Sequence, residues 1–294
     1  MIDFITTLIN GLSQGGVYAL IALGYTMVYG IAKMLNFAHG DIIMVGGYTT
    51  VIFFGMVGGF WGILISLLLS VLICVILGVS VEKVAYKPLR GASPLAVLIT
   101  AIGVSYLLQS ISQLIFGSAA KLVLFPNMGV ITLGELKISI ATLITLLSAG
   151  AIMVALTFFI NRSKTGKAML AVSEDKGAAT LMGISVNKII TITFAIGSAL
   201  AAVSAIFFIM KTPSVTVTMG AMPGIKAFTA AVIGGIGSIP GAMLGGLLLG
   251  VIESICGAIP AISSYTIAIE FGLLILILLV KPTGLLGKKR REKV

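Results

Sequence analysis

Apolar residues fill this chain in long blocks, and polar residues are confined to the short stretches between them. The blocks run at about Phe4 to Ile31, Phe37 to Val57, Phe60 to Val81, Leu95 to Gly117, Ile140 to Ile160, Ile189 to Met210, Ala227 to Ile259 and Tyr265 to Val280. They approach or pass the roughly twenty residues that a helix needs to cross a bilayer, and they lack the short alternating segments of a membrane barrel. The pattern therefore predicts α-helical spans. The first block begins in "MIDFITTLINGL", without a basic region or a small-residue cleavage site, so a retained first span is expected there and not a removed leader.

The seventh block is too long and too rich in glycine for a plain span. It reads "AFTAAVIGGIGSIPGAMLGGLLLGVIESICGAI", with its turn-forming residues clustered near the middle. Two short helices broken at "GGIGSIPG" are expected, packed inside the bundle, because irregular backbone at membrane depth survives only where protein or a watery cavity satisfies it. Gly235 and Gly237 are the positions where a side chain would be forbidden. A single long tilted helix with glycine packing is the alternative. Elsewhere Gly46, Gly47, Gly245 and Gly246 read as close-packing positions.

Composition fits this pattern. Hydrophobic residues make up 59% of the 294 positions and charged residues only 10%, with a mean hydropathy of +1.19, whereas soluble domains carry about a quarter charged residues. A net charge of +10 would hint at nucleic acid in a soluble protein, but here it reports orientation. Fourteen of the nineteen basic residues lie in three places, the connections 82–94 and 161–188 and the tail from Lys281 to Lys293. The connections between them hold only Lys121, Lys137, Lys211 and Lys226. Excess basic charge marks the cytoplasmic side, so the C-terminus and Lys33 are expected inside and the N-terminus outside. The block 227–259 must then enter and leave on one face.

Enzymatic chemistry finds no footing. The nearest approach to a phosphate loop, "SKTGKAM", lacks the upstream glycine and the hydroxyl after the lysine. A single histidine, His39, leaves no zinc-hydrolase motif, and no G-x-S-x-G elbow occurs. Cys74 and Cys256 sit inside apolar blocks without metal-ligand spacing and read as small buried hydrophobes. Transport is what remains.

One polar connection has an unusual character. In "SEDKGAATLMGI", residues 173–184, Glu174 and Asp175 lead directly into small and apolar residues. Ser173 is expected to cap a helix of about two and a half turns, with both acids in its first turn against the positive end of the helix dipole and Gly183 closing it in a left-handed conformation. Ala178, Leu181 and Met182 then form one exposed apolar stripe. So short a helix needs a partner. A soluble domain with a groove is the natural one; a helix resting on lipid headgroups is the alternative.

Four blocks resemble a known family: Gly15 to Tyr48, "SEDKGAATLMGI", Ala227 to Gly250, and "KPTGLLG" at Lys281 to Gly287. They look like the H-type permease of branched-chain amino acid ABC importers, and the likeness covers essentially the whole chain. It implies an all-α polytopic bundle of the ABC-importer permease type, about eight spans including the broken glycine-rich hairpin, as one domain over 1–294 with a cytoplasmic coupling loop at 161–188. It implies a prokaryotic cell (inner) membrane, a second homologous permease, two cytoplasmic ATPase subunits that use the ATP, and an external substrate-binding protein. This chain itself would bind no cofactor. The resemblance further makes Glu174 to Ile184 the coupling helix that docks on the ATPase, with Glu174, Asp175, Ala178, Leu181, Met182, Gly183 and Ile184 at the contact.

Intramembrane polar residues are the other candidates. Asn36, His39 and Asp41 lie together at the head of the second block, where Asp41 is expected either to cap the span or to line a path. Glu253 and Glu270 lie in later blocks, Glu270 with no evident partner and open to protonation. No basic partner for these acids is evident inside the spans. The competing function is a self-contained proton- or sodium-coupled carrier, with Asp41, Glu253 and Glu270 as its relay and the broken hairpin as its discontinuous helix.

Overall fold

The computed structural model describes residues 2–126, 128–133 and 136–287. The tail residues Lys288, Lys289, Arg290, Arg291 and Lys293, on which part of the orientation argument rests, lie outside them. Among the described residues, seven helices are long and apolar enough to cross a membrane. They are α1 (Ile2–Ala32), α2 (His39–Val57), α3 (Gly59–Val81), α4 (Pro94–Phe116), α5 (Ile140–Arg162), α8 (Val186–Lys211) and α10 (Ile239–Ala258). Between them lie α6 (Lys164–Glu174), α7 (Lys176–Leu181), α9 (Ala221–Gly234) and α11 (Pro260–Ser263), with α12 (Thr266–Val280) last. Four short strands, β1 (Lys121–Leu122), β2 (Val130–Leu133), β3 (Leu136–Ser139) and β4 (Ser214–Val215), pair as two antiparallel ribbons, β1 with β4 and β2 with β3. The chain divides into two compact units.

Unit 2 comprises Met27–Asn127 and Leu156–Ile225. Its α3 shows how a membrane bundle inverts the usual amphipathic logic. The buried positions Gly62, Ser66, Ser70, Cys74 and Gly78 recur every fourth residue, while Leu68, Leu72 and Ile76 on the other faces are 70%, 54% and 58% exposed. Small side chains face the protein because lipid already solvates leucine and backbones gain by close approach. Ser70 Oγ donates to Gly46 O of α2 at 3.2 Å and Cys74 Sγ to Ile42 O at 3.4 Å. A Cβ on Gly78 would meet Ser198 of α8. Past Val81 the helix changes winding, through a π turn over Glu82–Tyr86 and a 3₁₀ turn over Lys87–Leu89. Ser93 then caps α4 by accepting from Ala96 N, with Pro94 at the first helical position.

Unit 1 comprises Met1–Thr26, Met128–Ala155 and Lys226–Val294. Every residue from Val17 to Leu23 of α1 is at most 3% exposed. Glycines bring α1 and α10 into backbone contact: a Cβ on Gly246 would sit 2.5 Å from Ala19 Cα, and one on Gly250 2.1 Å from Gly15 N. The glycine-rich block does break where its sequence predicts. Helix α9 stops at Gly234, Gly235 and Gly237 take φ of 105° and 93°, and Ser238 caps α10 by accepting from Gly241 N at 3.2 Å. A single tilted helix is therefore excluded.

Two expectations change. The two arms are not both short, since α10 has the twenty residues of a full span while α9 has fourteen. Helix α9 also starts at Ala221, ahead of the apolar block, because Ala221 and Met222 extend it and Pro223 is tolerated in a first turn, where the missing N–H has no helical partner. Lys226 thereby moves from a connection into a helix.

Candidate functional site

The stretch from Ser173 to Ile184 folds into a tight knob, though not with the cap its sequence predicts. Ser173 and Glu174 end the preceding helix α6, and Ser173 Oγ donates to Leu170 O at 2.7 Å. Asp175, extended at φ −153°, is the cap instead, accepting from Ala178 N at 3.0 Å. The helix α7 that follows has six residues, shorter than expected. The reason lies upstream. Ser163 accepts from Gly166 N and starts α6 early, so Ser173 falls in its last turn and the next residue with a capping carboxylate and extended backbone takes the role.

The far end of the knob closes as a Schellman motif. Ile184 N donates to Ala179 O and Gly183 N to Thr180 O, both at 3.0 Å, with Gly183 at φ 77°. Ala179 packs inward at 3% exposure, whereas Ala178 is exposed and Leu181 and Met182 stand 90% and 81% exposed. Glu174 and Asp175 are exposed beside them.

The tip of the α9–α10 hairpin is closed by contrast. After α12 the chain turns back, Gly284 at φ 76°, and Leu285 N and Leu286 N donate to Ile233 O and Gly234 O at 2.8 and 2.9 Å. Lys281 Nζ donates to Leu285 O at 2.7 Å. The segment "KPTGLLG" thus clasps "GGIGSIPG", and carbonyls left free by the break find partners. A Cβ on Gly235 would lie 2.4 Å from Gly287 N.

The buried polar residues resolve into separate clusters. In unit 2, Asp41 is not the cap of α2. Ala38 holds that position without a side-chain bond, and Asp41 Oδ1 accepts from Gln109 Nε2 of α4 at 2.8 Å. Asn36 Oδ1 accepts from Tyr86 OH at 2.9 Å, and His39 is 1% exposed at the head of α2. In unit 1, Lys226 Nζ contacts Glu253 at 2.6 Å and Glu270 at 3.2 Å and lies 5.7 Å from the centre of the Tyr18 ring. Glu270 thus has a partner, contrary to the reading that no basic residue serves the intramembrane acids. Lys226 is 7% exposed. An ammonium facing two carboxylates is how charges persist in an apolar interior.

A second missed network lies at the end of α3. Glu82, fully buried, accepts from Arg90 Nη2 and from Thr191 Oγ1, the latter at 2.8 Å, while Arg90 Nη1 donates to Asn187 Oδ1. The clue in the sequence was an acid at the end of an apolar block with only basic residues following it.

Long apolar helices, with small residues on the inward face of α3 and a capped knob at α7, mark a polytopic membrane protein. The comparisons sharpen this. The family described as "Branched-chain amino acid transport system / permease component" matches residues 7–278. The chain is 45% identical to the high-affinity branched-chain amino acid transport system permease protein BraD of Pseudomonas aeruginosa, over 99% of this chain and 98% of that one. It is 42% identical to the corresponding permease LivH of Escherichia coli K12 and 43% to that of Salmonella typhimurium, with the same coverage. No solved structure matches. The chain belongs to the branched-chain amino acid transport permease family.

Proposed function

We propose that this chain is one membrane-spanning subunit of an ATP-driven importer for leucine, isoleucine and valine, receiving cargo from an external binding protein. It works beside a second, homologous permease and two cytoplasmic ATPase subunits, which bind and hydrolyse the ATP; this subunit holds no catalytic site or cofactor of its own. The observation that carries the reading is the knob. A six-residue helix capped at both ends, with Leu181 and Met182 almost fully exposed, offers apolar side chains that a soluble partner can grip, which supports α7 as the coupling helix of segment 161–188.

Orientation belongs to the same proposal: N-terminus outside, C-terminus inside, in a prokaryotic inner membrane. Helices α9 and α10 then go in and return, and α12 brings the tail to the cytoplasmic face, where hydrogen bonds from Leu285 and Leu286 to the hairpin tip support the arrangement. Single cysteines at Ser118 and Lys164 should label from opposite sides of intact cells. Labelling of both from outside would overturn the map.

The carrier alternative loses support, because Glu253 and Glu270 already share an ammonium partner in Lys226 and Asp41 has an amide partner in Gln109. Reconstitution decides. The purified chain alone, under an imposed proton or sodium gradient, should move no leucine, and adding the second permease, ATPases, ATP and binding protein should give uptake. Gradient-driven uptake by the chain alone refutes the proposal.

A further inference from the structure

Helix α7 joins its neighbours through non-helical backbone, Asp175 on one side and Gly183 to Ser185 on the other. Links of this kind absorb changes of φ and ψ, so the covalent chain alone does not carry a push on α7 into the spans. Side-chain ties supply what the backbone lacks, and they run from both ends of the knob. On the entry side Lys176, the first residue of α7, donates from Nζ to Ala32 O at the end of α1, at 2.9 Å. A few residues on, Asn36 Oδ1 accepts from Tyr86 OH at 2.9 Å. On the exit side Asn187 and Thr191 lie in the first turns of α8. Arg90 Nη1 donates to Asn187 Oδ1, Thr191 Oγ1 donates to Glu82 Oε2 at 2.8 Å, and Arg90 Nη2 pairs with Glu82 Oε1. Further along α8, the Phe194 ring lies 5.4 Å from that of Tyr86.

Both routes end in the same five residues, the π turn Glu82–Tyr86 at the end of α3. Glu82 and Tyr86 are fully buried. A buried carboxylate is costly to part from its guanidinium, so the turn stays fixed to what it holds. Widened turns of this type recur at functional sites. Beyond it α3 is packed on α2 through Ser70 and Cys74 and on α8 at Gly78, and close-packed interiors transmit displacement.

We infer that the π turn Glu82–Tyr86 receives the displacement of α7 and passes it to α3, with Glu82, Tyr86 and Arg90 as positioning residues for transport. They act through α7 and α3 and not on the cargo. The inference rests on the docking role of α7 proposed above. The plainer role, a tie that only holds helix ends together, predicts lower stability with no change in the amount of cargo moved per ATP.

The test uses the whole transporter in proteoliposomes, with binding protein and leucine. Tyr86→Phe removes the hydroxyl of the entry route. Asn187→Leu with Thr191→Val removes the exit route and leaves the Glu82–Arg90 pair intact. Each should keep the ATPase bound and hydrolysing while leucine taken up per ATP falls about fivefold, the ratio that one net hydrogen bond corresponds to. All three changes together should lower it further. Asn187→Asp with Thr191→Ser retains the accepting and donating oxygens and should keep the wild-type ratio. An unchanged ratio in the triple variant, with or without a lower melting temperature, makes the turn a structural tie and overturns the inference. Release of the ATPase by these variants places their effect at docking and not at transmission, and also overturns it. If Leu181→Asp leaves the ATPase bound and uptake intact, the docking reading itself fails and takes the inference with it.

Discussion

The knob and the hairpin tip are both turns made by a glycine of positive φ, yet their surroundings are opposite. Gly183 at φ 77° would meet nothing within 4 Å of an added Cβ, while Gly235 at φ 105° would meet three backbone atoms within 3.0 Å. At the first turn glycine serves only the backbone conformation of a helix end, and Leu181 and Met182 beside it stand exposed. At the second it serves conformation and space together, and the chain's own C-terminal segment fills the place a partner would take. An element finished by its own chain is part of the scaffold; one left open in the same fold is, on the proposal above, where another protein completes it.

Gly235→Val should have the largest effect. It forces a β-branched residue into the left-handed region, a severe outlier, and drives a side chain into Gly287 N at 2.4 Å and Gly287 Cα at 2.7 Å. We expect no monodisperse protein in detergent and no uptake. Normal yield and transport would mean that the clasp is not part of the folded scaffold.

Next comes Lys226→Met, which tests whether the closed unit depends on its ion triad. Glu253 is 27% exposed at its side chain and can be hydrated, but Glu270 at 1% is stranded. Removing one partner of a buried ion pair costs about 3–5 kcal/mol, so the melting temperature should fall clearly. Lys226→Met with Glu270→Leu should recover part of the loss, since no charge is then left deep in the unit. A Lys226→Met variant as stable as the parent would mean that Glu270 is neutral in the fold.

These two sites differ in how far the sequence reveals them. The break at "GGIGSIPG" is legible because glycine and proline act through local backbone physics, which a short window of sequence contains. Lys226 is not legible. It stands one residue before the apolar block at Ala227, and only the early start of α9 and the folding back of α10 and α12 bring it to Glu253 and Glu270. The clasp between "KPTGLLG" and the hairpin is long-range in the same way. The cap of α7 fails for a different reason: Ser173 and Asp175 both satisfy the local rule, and the choice is made by where α6 begins, ten residues upstream. The small-residue stripe of α3 is periodic and local, but it is overlooked when a membrane helix is searched for apolar faces, because the inward face carries the less hydrophobic residues.

Leu181→Asp probes the open side. The side chain is 90% exposed, so the change in stability of the isolated subunit should stay within about 0.5 kcal/mol. If α7 docks in an apolar groove of the ATPase as proposed, the aspartate should cost a few kcal/mol there. Co-purification of the ATPase, or cargo-stimulated hydrolysis, should be lost while the melting temperature of the subunit holds. Full retention and uptake would make α7 a simple connection.

Gly183 should give the smallest effect and the finest distinction. Since nothing lies within 4 Å, Gly183→Ala meets only the backbone penalty at φ 77°, about 1 kcal/mol. Gly183→Asn should cost less, because asparagine is the other residue that helix ends accept in this conformation. The Schellman closure at Gly183 and Ile184 positions the end of α7 that carries Leu181 and Met182. Local strain there should therefore appear as faster hydrogen exchange at Gly183 and Ile184 and a two- to fivefold weaker hold on the ATPase, the range that a loss of up to about 1 kcal/mol gives, with the rest of the protein unchanged. If alanine and asparagine behave alike and both match glycine, the positive φ is incidental and the knob is held from elsewhere. If both abolish docking, position 183 itself touches the partner, and the space left open around it is part of the interface.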